Sequence, residues 1–392
     1  MSASPTFSKF IPWLLIAVLA LGYLGHRALT KPAYNWDLIG YMSAVLKMDG
    51  YTDQKNHKHV YETLYNELPR PAFNKIIGVD KQTGSKVVES YRHQIYQDPD
   101  ALQQQLPFYQ IRVAYTALYY GLYKLGVPLS KAPSILSWIF ASICCLIGLS
   151  LIPMSKVAWL VYLVVFFEVI KASWLVRLAT PDLLAAAWVL LAMTSYLKGR
   201  KTIALILTAL LPFFRTDFII LSGLMLTTHL SIVVKNKRSK SKAPLIAGLG
   251  LLSLIVYSGL NSYFGNYGYL TIFNFTLIQN TPYPASLDVS LQANDYINAY
   301  LTGLGRWTHS RVGWFFIFCT LGLLSPISKK LSQELRLLSI ISLAFVAIHF
   351  ALFPAFLERH YLFASIWLSI TLAWWTHTAI RTSQQTEATS SD

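Results

Sequence analysis

Long apolar runs separated by short polar turns make up most of the chain. A run of roughly 17 or more apolar residues is long enough to cross the hydrocarbon core of a bilayer as an α-helix. We therefore predict an all-α polytopic integral membrane protein with about ten transmembrane helices. The predicted spans lie at residues 10–29, 133–152, 155–171, 182–197, 202–214, 216–234, 244–263, 311–326, 335–353 and 361–379.

One further apolar stretch, residues 108–126, is predicted to lie in the membrane interface rather than to cross the bilayer. It carries Arg112 and Lys124 among tyrosines and phenylalanines, a composition typical of interfacial helices. With both termini in the cytoplasm, residues 30–132 form a large first outer loop that contains interfacial helices, and residues 264–310 form a second. Residues 1–380 are then a single transmembrane domain, and the low-complexity segment 381–392 is a disordered cytoplasmic tail.

The charge pattern sets this topology. Only 13% of the 392 residues are charged, against about 25% in a soluble domain, and the net charge is +15. Basic clusters at 197–201, 235–242 and 328–336 each separate two apolar runs, so we place them in the cytoplasm. The positive charge therefore encodes topology and does not indicate a nucleic-acid partner. The three cysteines fall inside apolar runs, which excludes a disulfide framework and zinc-ligand spacing.

Carboxylates and arginines gather at the opposite, outer ends of the predicted helices. The first carboxylate of the chain, Asp37, follows the first span, and three short outer turns read WLVRLATPDLL, LLPFFRTDFII and FPAFLERHYLF. Ionisable groups at membrane depth are costly unless they are paired or functional, so they mark candidate sites. The alternative is that each Arg–carboxylate pair only caps a helix locally.

Arginines at a lipid boundary suit one kind of ligand in particular. A guanidinium offers paired donors in a fixed fork that matches phosphate, so these turns indicate a lipid-linked phosphate. A separate carboxylate such as Asp37 can then act as a general base toward an attacking hydroxyl. The sequence contains no Walker A motif and no Gly-x-Gly-x-x-Gly motif. His57 and His59 are spaced so that they would share a face only in a strand, and a solvated loop is the simpler interpretation.

Four segments resemble the GT-C superfamily of membrane glycosyltransferases. NWDLIGYMSAVLKMDG resembles its first-loop acid motif, and VRLATPDLLAAAWVLLAMTSYLKGRK resembles its second-loop segment. LLPFFRTDFIILSGLML resembles its R-P-D turn, with Thr216 where Pro is common. ERHYLFASIWLSI resembles its E-R-Y-L start of a late helix, with His360 inserted. Only one acid, Asp37, stands where protein mannosyltransferases often have two.

The resemblance implies a donor sugar carried on a polyprenyl phosphate or diphosphate and transfer on the outer face of the membrane. It implies that Asp37 is the base and Asp182 a second-loop acid, with Arg177, Arg215, Arg359 and His360 as candidates for the donor phosphate. Further candidate substrate contacts are Trp36, Tyr41, Asp217, Arg306, His309, Arg311 and Glu358. No metal site is expected, although Mg²⁺ or Mn²⁺ would be needed in an oligosaccharyltransferase-like site.

The function predicted from these residues is an inverting, metal-independent transfer of a sugar to a hydroxyl of a glycan, glycolipid or protein. We place the protein in a bacterial inner membrane with its active site on the periplasmic face. Three alternatives stay open: a lipid-linked glycan polymerase or ligase, a flippase or transporter of a lipid-linked sugar, and a non-catalytic lipid-binding scaffold. The flippase would be expected to carry ionisable groups in mid-helix and repeated or broken helices.

Overall fold

A computed structural model describes residues 7–79, 90–265 and 267–390. Within these ranges the protein is all-helical, with 81% of its residues in helix and no β-strand. The predicted all-α class is therefore confirmed for the part of the chain that the structure describes.

Twenty α-helices follow one another along the described residues. The first span and the predicted first outer loop contain α1 (Phe7–Thr30), α2 (Asp37–Met48), α3 (Asp53–Glu67), α4 (Arg70–Ile76), α5 (Tyr91–Gln97), α6 (Pro99–Gln105), α7 (Pro107–Gln110) and α8 (Val113–Lys124). The middle of the chain contains α9 (Ala132–Leu151), α10 (Lys156–Val164), α11 (Ala172–Leu175), α12 (Asp182–Leu197), α13 (Lys201–Ala209), α14 (Ile219–Lys235) and α15 (Ala243–Tyr263). The last part contains α16 (Gly268–Phe273), α17 (Ala293–His309), α18 (Arg311–Leu324), α19 (Gln333–Leu352) and α20 (Leu362–Ser390).

Five helical segments of the described chain are long and apolar enough to cross a membrane. They are Ile11–Thr30, Ala132–Leu151, Thr216–Lys235, Lys240–Tyr263 and Gln333–Leu352. Three shorter apolar helical segments are Asp182–Leu197, Gly268–Ile278 and Arg311–Leu324. These lengths and compositions are those of an integral membrane protein.

The centre of the molecule is built around α12, which packs against α9, α13 and α20. Most of α12 is buried, and Trp367 of α20 is completely buried beside it. By contrast, α1 and α15 leave large apolar side chains such as Leu19 and Ile255 exposed. An apolar outer surface on otherwise packed helices is favourable in lipid, where no hydrophobic force drives it inward.

Several helices end or break where the sequence predicted continuity. The predicted span 202–214 is α-helical only to Ala209 and continues as a 3₁₀ helix, Leu211–Phe213, because Pro212 has no N–H for an i→i−4 bond. The predicted span 155–171 changes from α10 to a π-helix, Val165–Val169. The predicted interfacial helix 108–126 is two helices, α7 and α8, which break at Arg112 (φ −92°, ψ 64°).

The predicted disordered tail also differs. Helix α20 extends through Ser390, so residues 381–390 are helical, and residues 391–392 lie outside the described residues. No Gly or Pro follows Ile380, and residues such as Gln384, Glu387 and Ala388 favour continuation of a helix that is already formed.

The segments predicted as two outer loops pack against each other. Gln105 donates to the carbonyls of Thr281 and Pro282, each at 3.1 Å. The ring of Phe108 stacks on that of Phe275 with centroids 4.8 Å apart. These contacts join the described parts of the segments 30–132 and 264–310.

Candidate active site

Five segments that are far apart in the chain meet in one small polar pocket, which we call the cleft. It is formed by the start of α2, the break between α7 and α8, and the turns that precede α12, α14 and α20. Its lining residues are Asp37, Tyr41, Arg112, Thr180, Pro181, Asp182, Arg215, Arg359 and His360. Three arginines and two aspartates thus surround a cavity of about 30 Å³, which is room for one or two water molecules.

Arg359 connects the two acids that the sequence singled out. Its Nη1 donates to Oδ2 of Asp37 at 2.8 Å, and its Nε lies 3.8 Å from Oδ2 of Asp182. Burial alone would lower the pKa of Arg359, but Asp37 and Asp182 outweigh this effect and raise it. The guanidinium of Arg359 therefore stays charged, and it connects Asp37 of α2 to the turn before α20, 322 positions later in the chain.

Arg215 is the most enclosed charge of the cleft. Its Nε and Nη2 form a two-pronged pair with Asp217 at 3.0 and 2.8 Å, and its Nη1 donates to Asp182. Arg215 and Asp182 are only 5% and 6% exposed. All three guanidinium nitrogens are thus engaged by carboxylates, which satisfies charges that would otherwise be costly to bury.

Asp37 is fixed from two sides through the same oxygen. Its Oδ2 accepts from Asn35 Nδ2 at 2.8 Å as well as from Arg359. Asn35 in turn accepts from the backbone N–H of Ala179 at 2.7 Å, which ties the end of α1 to the turn before α12. Among the described residues no hydrogen bond is made to Oδ1, which leaves this oxygen for a substrate group.

A cluster of tyrosines supports the wall of the cleft. Tyr41 makes edge-to-face contacts with Tyr109 and Tyr115, with ring centroids 5.1 and 4.7 Å apart. Gly40 permits this approach, because a Cβ at that position would lie 2.4 Å from the ring of Tyr109. Tyr41, a predicted substrate contact, therefore lines the cleft in a fixed orientation.

Arg112 belongs to the cleft although its sequence context pointed to the membrane interface. Its Nη1 donates to the carbonyl of Phe108, and no described carboxylate pairs with it. The break between α7 and α8 turns Arg112 toward Asp37 and Arg359. The only sequence signal was a lone arginine in the aromatic stretch 108–126, and interface composition explains that equally well.

Two histidines stand beside the acids and arginines. His349 of α19 lies 3.2 Å from Asp217 and 3.1 Å from the hydroxyl of Tyr361, so it contacts the acid that pairs with Arg215. Burial and the nearby Arg215 and Arg359 hold the pKa of His360 well below its usual range. A neutral His360 can donate or accept a single proton but adds no charge to the cleft.

Some predicted site residues lie outside the cleft. The Nε of Arg177 donates to the carbonyl of Lys31, and its guanidinium lies over the ring of Trp174, 4.8 Å from the centroid. Trp36 contacts the ring of Tyr91 instead of lining the cleft. The structure therefore does not bring Arg177 or Trp36 to the acids.

The remaining candidates form a separate polar group. Glu358 accepts from Lys171 Nζ at 3.2 Å and from Ser310 Oγ at 2.6 Å. Arg311 lies 3.8 Å from Glu168 at the surface. Arg306 and His309 are exposed on α17, where His309 bonds the carbonyl of Gly305. None of these side chains lines the cleft.

No group of three His, Cys, Asp or Glu side chains in the described ranges is arranged to hold a metal ion. His57 and His59 lie on helix α3, not on a strand, so they do not share a face. His57 is engaged with the carbonyl of Ile95 at 3.1 Å. These two histidines therefore do not form a metal site with each other.

No protein-family model matches the chain, and no curated protein or solved structure matches it at a significant level. The likeness of the four motifs to GT-C enzymes therefore remains a prediction, and the chemistry has to be argued from the cleft itself.

Proposed function

We propose that this protein is a GT-C-type membrane glycosyltransferase that transfers a sugar from a polyprenyl-phosphate donor to an acceptor hydroxyl. The observation that carries the proposal is the cleft, in which five distant segments bring together Asp37, Arg112, Asp182, Arg215 and Arg359. A cleft with both a free carboxylate oxygen and guanidinium donors suits a reaction that removes a proton and releases a phosphate.

Asp37 is the proposed base. Its Oδ1 would take the proton of the acceptor hydroxyl while the hydroxyl oxygen forms a bond to the anomeric carbon of the donor. The bond from that carbon to the phosphate oxygen breaks at the same time, and its electron pair leaves with the polyprenyl phosphate. Attack opposite the leaving group inverts the anomeric configuration, so no covalent enzyme intermediate is needed.

Arg112 and Arg359 are the proposed partners of the leaving phosphate. Arg112 pairs with no described carboxylate, whereas all three nitrogens of Arg215 are engaged by Asp182 and Asp217. Arg215 therefore orients the acids, and Arg177, which bonds Lys31, is not required at the cleft. A guanidinium aimed at developing phosphate charge is worth about 10²–10³-fold in rate.

The donor would have to widen the cleft, because about 30 Å³ cannot hold a sugar phosphate. The Arg359–Asp37 pair is the contact expected to separate. A phosphate would replace the carboxylate as the partner of Arg359, and Asp37 would then be released to face the acceptor hydroxyl. Donor binding and release of the base would thus be one event.

The proposal includes the topology predicted from the charges. About ten spans, outer loops at 30–132 and 264–310 and a cleft on the periplasmic face of a bacterial inner membrane would let a lipid-linked donor enter sideways. The acceptor would be a glycan, a glycolipid or a protein, and no metal would take part. The apolar helices support the membrane environment, and the basic clusters at the other helix ends support an outer position of the cleft.

The test is mass spectrometry of glycans and glycolipids from a strain lacking the gene, complemented with wild type, Asp37→Asn or Asp53→Asn. Asp53 is a matched control, because it is an exposed acid at the start of α3. We expect wild type and Asp53→Asn to restore a missing sugar, and Asp37→Asn to reduce transfer by about 10²–10⁴-fold at equal protein level.

Full restoration by Asp37→Asn would contradict the proposal. Asp37 would then be a structural partner of Arg359, and transport or scaffolding of a lipid-linked sugar would replace catalysis as the explanation of the cleft.

A further inference from the structure

A second cavity lies at the other end of α14, among the ends of α13, α14 and α15. It measures about 220 Å³ and is bordered by Lys201, His229 and Lys242 on its polar side and by Leu205, Val233 and Ile246 on its apolar side. We call it the basic cavity. At 1.5 Å per residue, the helical segment from Asp217 to Val233 places it about 24 Å from the cleft.

Polar and apolar residues are separated along the depth of this cavity. Lys201 is the first residue of α13, and Lys242 directly precedes α15, so both charges lie at helix ends. Leu205 and Ile246 lie about one turn inside their helices, and Val233 lies two residues before the end of α14. The cavity thus has a charged rim and an apolar wall, the arrangement that matches a molecule with a charged head and a hydrocarbon chain.

The charge of the rim is only partly compensated. Lys201 lies 3.5 Å from Glu334, with its Nζ 3.7 Å from the centre of the Tyr196 ring. No carboxylate of the described residues lies within ion-pair distance of Lys242. Lys235 and Lys240, which are exposed on the neighbouring segment, add positive charge close in sequence to this rim. An anion is therefore the ligand that complements it.

His229 supplies a directional contact on the inner side. It is 9% exposed, and its Nδ1 lies 3.1 Å from the hydroxyl of Tyr196. When that hydroxyl donates to Nδ1, the proton of the neutral ring is on Nε2, which can donate to an anionic oxygen. Two lysines and one imidazole can thus surround a phosphate group.

We propose that the basic cavity binds the phosphate headgroup of an anionic phospholipid, with an acyl chain along Leu205, Val233 and Ile246. A lipid is favoured over a soluble phosphate because the wall is apolar and because Leu245 and Ile232, which also line the cavity, are exposed on the lipid-facing surface. Basic pockets between helices at the cytoplasmic side are suited to such headgroups. The site is independent of the chemistry at the cleft.

The test is native mass spectrometry of the full-length protein in detergent, titrated with phosphatidylglycerol, with phosphatidylcholine of the same chains, or with inorganic phosphate. We expect one phosphatidylglycerol to bind more tightly than phosphatidylcholine. Lys201→Ala/Lys242→Ala should weaken this binding by roughly tenfold. The control Lys198→Ala/Lys240→Ala removes two exposed lysines from the same two loops and should change it by less than about twofold.

A second variant keeps both lysines. Leu245→Trp fills the cavity from its exposed side and should weaken phosphatidylglycerol binding, whereas Leu251→Trp, on the exposed surface of the same helix, should not. Equal losses in the two lysine doubles, or equal affinity for the two lipids, would overturn the proposal. So would displacement of the lipid by inorganic phosphate at a similar concentration, because the ligand would then be a soluble anion.

Discussion

The charged side chains at the two ends of α14 differ in how fully they are enclosed and paired. At the cleft end, Arg215 is enclosed with Asp182 and Asp217, and nearly every charge has an opposite charge within hydrogen-bond distance. At the cavity end, Lys201 and Lys242 remain near the surface beside a larger space of about 220 Å³. Compensated charges in a tight cleft are fixed in position, whereas the only partly compensated charges around the open cavity are available to a ligand.

The contrast between the two ends of α14 requires that ion pairs stabilise the cleft. The substitution Arg215→Met is expected to test this with the largest effect. The change leaves Asp182 and Asp217 buried without their common guanidinium, so we expect a loss of about 3–5 kcal/mol in the free energy of unfolding. Denaturant unfolding of the purified protein in detergent measures it. Arg306→Met, at an exposed position on α17, is the control and should leave the unfolding curve unchanged.

A combined Arg215→Met/Asp217→Asn variant sharpens this result, since it removes one of the two orphaned charges and should recover part of the loss. If Arg215→Met unfolds like wild type, the ion pairs of the cleft contribute no stability, and the contrast between the two ends of α14 disappears.

The tight packing of the cleft can be tested separately with Gly40→Ala. The added methyl group would meet the ring of Tyr109 at 2.4 Å, so we expect a loss of about 1–3 kcal/mol. Gly121→Ala in α8 is the matched control, because nothing lies within 4 Å of its added Cβ, and alanine there should stabilise the helix slightly. Equal effects of the two substitutions in unfolding experiments would show that the tyrosine wall is loose.

Acid should weaken the cleft through His360. Its pKa is held well below its usual range by burial and by Arg215 and Arg359, so the folded protein keeps it neutral. Below about pH 6.5 the unfolded chain takes up a proton that the folded protein does not. Stability should therefore be constant above that pH and fall below it, by at most about 1.4 kcal/mol per pH unit.

Unfolding midpoints measured from pH 8 to pH 5 (roughly the range in which histidine titrates) test this dependence. We expect His360→Gln to flatten the curve, while His309→Gln, exposed on α17, leaves it as in wild type. An unchanged slope in His360→Gln would contradict His360 as the group that links stability to pH.

The smallest effect is expected at the other end of α14. Lys201→Met breaks the partly exposed pair with Glu334 and the cation–π contact with Tyr196, so stability should change by at most about 1 kcal/mol. The same denaturant experiment measures it beside Arg215→Met. A loss as large as that of Arg215→Met would mean that the rim of the basic cavity is a structural ion pair, and the two ends would no longer differ.

The sequence predicted the all-helical class and a common site for the acids and arginines at the helix ends, namely Asp37, Asp182, Arg215 and Arg359. Ionisable groups at membrane depth are costly unless they are paired, so those on the same side are expected to contact one another. The positions of helix breaks were harder to predict from the sequence. The early end of α13 at Pro212 was readable from the sequence, but the break at Arg112 has no Pro or Gly to mark it.

Individual side-chain positions were the least predictable. Arg177 resembled a phosphate ligand by motif, yet its contact with Lys31 depends on how the end of α1 meets the turn before α12. His349 lies in an apolar run, and only the packing of α19 beside α14 brings it to Asp217. Local composition carries no information about such registers between helices.

The contact between Asp37 and Arg359 also constrains how the protein matures. Its two halves are 322 residues apart, so a growing chain exposes Asp37 long before its guanidinium partner has been synthesised. The cleft can close only after the segment preceding the final helix has entered its place among the earlier ones. A chain that stops short of Arg359 would carry Asp37 without the cation that restrains it, so the cleft can be completed only late in the assembly of the protein.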